Sequence, residues 1–134
     1  MSTPTYLPAL GRLLIALIFI LSGLSKIAAP AGTIAYIQSA GAPFASAAFA
    51  VAVIVELIGG LALLVGFQTR LVAATLAIFT LAAAVLFHNN MADQNQMIHF
   101  MKNLAITGGL LQVVAFGAGA FSLDNRRRSA SVPA

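Results

Sequence analysis

The chain has 134 residues, of which 60% are hydrophobic and 7% charged, with seven basic side chains against three acidic ones. A soluble domain carries roughly a quarter charged residues, so this composition excludes a watery surface over most of the molecule and makes lipid the better solvent. No cysteine is present, which excludes disulfides, thiol–disulfide chemistry and cysteine-held iron–sulfur clusters.

A length of 134 residues suggests one domain. Crossing the hydrocarbon takes about 20 apolar residues as helix, and four stretches qualify: residues 7–28, 44–66, 69–88 and 100–121. The first could be mistaken for a signal peptide, because Ala29-Pro30-Ala31 loosely resembles a cleavage site. Its apolar run is longer than a signal core, Arg12 lies inside it and Pro30 sits within the cleavage motif, so it is read as a retained span.

The loop after the first span is half apolar. Ile34, Tyr36 and Ile37 suit a short helix lying at the interface, and Gly41-Ala42-Pro43 breaks the chain before the second span. Gln68 almost alone separates the second and third spans, which predicts a tight hairpin. The loop before the fourth span, around Asn89 to Ile98, is polar and about ten residues long by the same reading. Gly59-Gly60-Leu61 echoes Gly108-Gly109-Leu110. These pairs are read mechanically, as places where helix backbones approach closely.

With four spans, Arg12, Arg70 and the Arg126-Arg127-Arg128 triplet fall on one side and Lys26 and Lys102 on the other. The positive-inside rule then puts both termini in the cytoplasm. The triplet adjoins an apolar segment, so it reads as a topology signal and not as a nucleic-acid surface. The expected architecture is an all-α membrane protein, a four-transmembrane-helix antiparallel bundle. Residues 1–126 form the membrane domain, residues 127–134 a short cytoplasmic tail, and the bilayer is the partner in contact.

Ionisable groups inside a span cost on the order of 3 kcal/mol each and tend to face the bundle interior. Glu56 lies near the middle of the second span. Counting about 1.5 Å per residue from each span's centre puts Gln112 and Thr80 at its depth and Arg12 about 8 Å away. Two readings of Glu56 follow. It is a structural polar pin, paired with Arg12 or Gln112, or it is a site residue that carries a proton or binds a ligand.

A second set gathers at the outer side: Lys26, His88, His99, Lys102 and Asn103, with Asn89 and Asn90 nearby. Two imidazoles, two amines and several amides suit hydrogen bonds to a quinone carbonyl or a small anion, with histidine exchanging protons near neutral pH. The plainer account is wetting of the interface by loop-proximal residues and snorkelling lysines. Two histidines with Asp93 at irregular spacing do not make a metal site, and none is expected. No glycine-rich phosphate loop follows a strand, so nucleotide binding has no support.

These residues resemble the DoxX family of small inner-membrane bacterial proteins. The resemblance is carried by Arg12, Phe19, Ser22-Gly23 and Lys26, then Tyr36 and Gly41-Ala42-Pro43. It continues through Glu56, Gly66-Phe67, Thr69-Arg70, His88, Phe100, Lys102-Asn103 and Gly108-Gly109, and ends at Gly119 and Ser122-Leu123-Asp124. It covers roughly Gly11 to Arg126. It implies a four-helix membrane bundle and, through some relatives, a subunit of a membrane oxidoreductase system that binds a quinone. Without cysteine, electron transfer would need that quinone, or a partner oxidoreductase subunit. The alternatives are a small-solute transporter or channel component, with Glu56 and Gln112 lining a midplane site, and a non-catalytic assembly factor. A homo-oligomer fits any of them.

Overall fold

A computed structural model describes residues 4–131. The chain runs α1 (Leu7–Ala28), α2 (Pro30–Ser39), α3 (Ala45–Val65), α4 (Thr69–Phe87), α5 (Gln94–Phe116) and α6 (Leu123–Ala130). Among the described residues there is no strand, and α1, α3, α4 and α5 are each long and apolar enough to cross a membrane. The all-α, four-span expectation holds.

The four long helices close a ring: α1 packs on α3, α3 on α4, α4 on α5, and α5 returns to α1, while α2 leans on α3 and α1. The shared core is built from Ala16 and Phe19 of α1, Leu63 of α3, Ala73, Leu76 and Ala77 of α4, and Leu110 of α5. Small side chains figure in it because lipid supplies no hydrophobic drive between helices, so close van der Waals contact has to hold them. Outward, large apolar residues such as Leu14, Ile58 and Ile78 are exposed. That surface has no counterpart on a soluble domain and matches hydrocarbon.

Two glycines set how α1 lies against α3. A Cβ added at Gly23 would come within 2.7 Å of Leu57 Cγ, and one at Gly60 within 2.9 Å of Ile20 Cγ1. The antiparallel register is therefore pinned with Gly23 opposite Glu56–Leu57 and Gly60 opposite Phe19–Ile20. This slides α1 along α3, so the two helices do not share a centre.

Local chemistry sets the element ends. Pro8 lies in the first turn of α1, where its missing N–H is no loss. Pro30 ends α1, because the residue before a proline is pushed out of the helical region, and α2 starts there. The expected short helix after the first span is α2. The α3–α4 turn is as tight as expected: Gly66 has φ 72° and Gln68 φ 46°.

The fourth span corrects the sequence reading. Instead of 100–121, α5 covers Gln94–Phe116. The Asp93 carboxylate accepts the Gln96 N–H at 2.9 Å and starts the helix in polar sequence that an apolar count passes over. Gly117, at φ 82°, ends it. Of the residues expected as a tail, 127–134, the first four belong to α6 and 132–134 lie outside the described residues; α6 is capped by Ser122 Oγ, which accepts the Asn125 N–H at 3.1 Å.

Candidate functional site

Glu56 is buried, and its partner is Lys26 of α1. Lys26 Nζ lies 2.8 Å from Glu56 Oε2 and donates to Oε1 at 3.0 Å. Ser22, one turn before Lys26, donates its hydroxyl to Oε1 at 3.1 Å and accepts from Nζ at 2.8 Å. One hydroxyl and one ammonium on adjacent turns of α1 thus surround one carboxylate of α3.

Neither expected partner, Arg12 or Gln112, meets Glu56. Gly23 stands opposite Glu56, and Arg12 is eleven residues earlier on α1, about 16 Å along the axis. A count from each helix's own centre misses this offset. Gln112 sits on the exposed face of α5 and makes no side-chain hydrogen bond among the described residues.

Arg12 does separate work at the end of the bundle where α1 begins and the α3–α4 turn lies. It is 1% exposed. Its Nη1 donates to the carbonyls of Leu63 at 2.9 Å and Leu64 at 3.2 Å, and Nη2 donates to that of Phe121. The C-terminal carbonyls of α3 lack helical partners and carry the negative end of the helix dipole, so a guanidinium suits them. Asp124 completes the knot. Its Oδ1 accepts the Gln68 N–H and its Oδ2 the Thr69 N–H, each at 2.8 Å, and its own N–H donates to Gly66 O at 2.9 Å. A buried guanidinium and a carboxylate thereby tie the segment after α5 to both sides of the α3–α4 turn. Burial would push the Asp124 carboxyl up. The Thr69 and Gln68 N–H groups and the Arg12 charge outweigh it and hold the group below its ordinary value.

At the opposite end, two pairs of rings stack. Tyr36 of α2 lies on Phe87 of α4 with centroids 5.6 Å apart, and His88 lies on His99 of α5 with centroids 5.0 Å apart. His88, the first residue beyond α4, has its pKa lowered by burial and then by His99. Lys102 is exposed, and neither it nor the Asn103 side chain makes a hydrogen bond or ion pair among the described residues. The outer set therefore divides into the Lys26–Glu56 pair, the two stacked histidines, and two residues joined to neither.

Sequence reasoning passed over Ser22 as a partner, Asp124 as a cap and the Tyr36–Phe87 stack. Ser22 had a usable signal, its four-residue spacing to Lys26, which puts both on one helix face. Asp124 had none, because its partners lie more than fifty residues away.

The chain is similar to known inner-membrane proteins. The family model described as DoxX matches residues 7–89. The Escherichia coli K12 "Inner membrane protein YqjF" is 42% identical over 113 residues, covering 84% of this chain and 85% of that protein. "Inner membrane protein YphA" of the same strain is 36% identical over 122 residues, covering 87% of each. No solved structure is a significant match.

Proposed function

The chain belongs to the DoxX family, and from that premise we propose that it works in the inner membrane, with both termini in the cytoplasm, as the quinone-binding subunit of a membrane oxidoreductase system. The observation that carries this reading is the pair of ring stacks seeded by consecutive residues, Phe87 and His88, at the end of α4. A quinone is planar and apolar with two carbonyl acceptors. Half-exposed Tyr36 and the imidazoles offer it flat faces, and a histidine N–H can hydrogen-bond a carbonyl and exchange protons near neutral pH. Lys102 and Asn103 of α5 would supply further donors, while Lys26 is held by Ser22 and Glu56. Glu56, with Lys26 and Ser22 on its oxygens, anchors α1 to α3. Since the chain has no cysteine, electrons reach the quinone from a partner subunit.

The test is solvent extraction and mass spectrometry of the mildly solubilised protein. Wild type is expected to retain a quinone in near-stoichiometric amount, and His88→Ala and Tyr36→Ala to lose most of it. A wild-type protein that carries no quinone, and whose unfolding temperature an added short-chain quinone does not raise, refutes the reading. The Lys26–Glu56 ion pair within the spanning helices favours a second reading, a component of a small-solute transporter. Solute uptake into vesicles that disappears in Glu56→Gln would establish it.

A further inference from the structure

The knot of Arg12 and Asp124 adjoins a cavity of about 590 Å³ between the start of α4, the segment after α5, and α6. Its size falls in the range of small-ligand sites. Three arginines line it: Arg70, Arg127 and Arg128. The one acidic residue lining it is Asp124, whose two oxygens already accept the Gln68 and Thr69 N–H groups. Three positive charges against one negative leave the cavity a net +2.

The arginines are free for a ligand. Among the described residues Arg70 makes no ion pair or side-chain hydrogen bond. It lies along the backbone at Gly117, where an added Cβ would stand 3.4 Å from its Nε. Arg127 rests over the Phe67 ring at 5.5 Å, which orients its guanidinium without satisfying its N–H donors. The cavity also has an apolar edge. Leu71 and Phe116 line it, belong to spanning helices and are 67% and 80% exposed, so on those helices they face hydrocarbon.

We propose that this cavity binds the phosphate of an anionic phospholipid in the leaflet that meets this end of the bundle. Arg70 and Arg127 grip the phosphate oxygens, and the acyl chains run past Leu71 and Phe116. A topology signal needs positive charge alone, and lysine would serve. Here every basic residue at this end is arginine, while both lysines, Lys26 and Lys102, belong to the other half of the spans. Arginine is the side chain whose planar fork matches phosphate oxygens in pairs, and basic pockets at helix ends are suited to anionic head groups. A choline or ethanolamine head would bring its own cation beside three guanidiniums, with the one carboxylate already engaged.

The experiment uses the full chain in detergent, read by native mass spectrometry and by unfolding temperature, with added phosphatidylglycerol, phosphatidylcholine or inorganic phosphate. Phosphatidylglycerol should remain bound and raise the unfolding temperature, and phosphatidylcholine should do neither. Arg70→Ala and Arg127→Ala should each weaken phosphatidylglycerol binding by about tenfold or more, the scale of one lost charge-assisted hydrogen bond. Arg126→Ala, which removes the same charge outside the cavity lining, should leave binding unchanged. Should Arg70→Ala fail to fold, Arg70→Lys keeps the charge, loses the fork and is expected to weaken binding by a smaller factor. Protection by inorganic phosphate that matches phosphatidylglycerol and disappears in Arg70→Ala would support the phosphate site and assign it a soluble ligand. Equal binding of the two lipids, or equal losses in Arg126→Ala and Arg70→Ala, would overturn the proposal.

Discussion

Removing the Lys26 ammonium should damage this protein more than neutralising Glu56. The pair is joined by contacts of 2.8 and 3.0 Å from one nitrogen to two oxygens. At about 3 Å and an effective dielectric near 20, the attraction is about 5 kcal/mol, and desolvation of both ions offsets part of it. The two partners are not equally deep: the Lys26 side chain is 24% exposed and that of Glu56 7%. Lys26→Met strands a carboxylate in the bundle with a single hydroxyl donor, Ser22, and is expected to cost about 3–5 kcal/mol. Glu56→Gln keeps an oxygen acceptor for Ser22 and Lys26, and the lysine can snorkel toward the head groups, so about 1–2 kcal/mol is expected. In the Glu56→Gln background, Lys26→Met should then cost only about 1 kcal/mol, a coupling of at least about 2 kcal/mol. Denaturing-detergent titration of the four proteins in mixed micelles, followed by circular dichroism, measures each value. Equal costs of Lys26→Met in both backgrounds would refute the pairing. The same cycle with Arg12→Leu and Glu56→Gln should be additive within about 0.5 kcal/mol, because the two residues share no partner.

Gly66→Ala should destabilise by at least about 1–2 kcal/mol from its left-handed backbone alone, and more because the new methyl would press on Ser122 and on the Arg12 guanidinium; an unchanged unfolding midpoint would refute the clamp geometry. The depressed pKa of Asp124 stabilises the fold fully above the ordinary carboxylate value, and that stabilisation is lost as pH falls through the folded value below it. Unfolding temperatures of wild type and Asp124→Asn should therefore differ at pH 6 and converge on acidification. His88 carries a lowered pKa, so its neutral form is favoured in the folded state and its contribution to stability falls as pH drops below about 6.5. His99→Gln should raise the His88 titration midpoint in an NMR experiment, and a midpoint that does not move would disprove the stacked pair.

The spans were legible because hydropathy alone identifies stretches that lipid will accept. Glu56 and Arg12 were legible as anomalies, since a charge in such a stretch is conspicuous. Their partners were not, because partnership depends on how far one helix is slid along another. Gly23 and Gly60 set that slide by close approach, and a glycine's neighbours across a helix pair leave no mark in the local sequence. The start of α5 was missed for a different reason. Asp93 followed three residues later by Gln96 is a helix-start pattern, but an apolar count discards polar residues. The Phe87 and His88 stacks were half legible: the histidines appeared as helix-end residues, and only the fold brings their rings together.

The Arg12 clamp also bears on how the protein is made. Arg12 belongs to α1, which is made before its acceptors on Leu63 and Leu64 and then on Phe121. During synthesis α1 holds a guanidinium in or near the hydrocarbon for which no carbonyl is yet present, so its early placement is provisional. The helix settles only when the segment carrying Phe121 and Asp124 has been translated and has folded back on the α3–α4 turn. A chain interrupted before that segment would have the Leu63 and Leu64 carbonyls for Nη1 but no Phe121 carbonyl for Nη2.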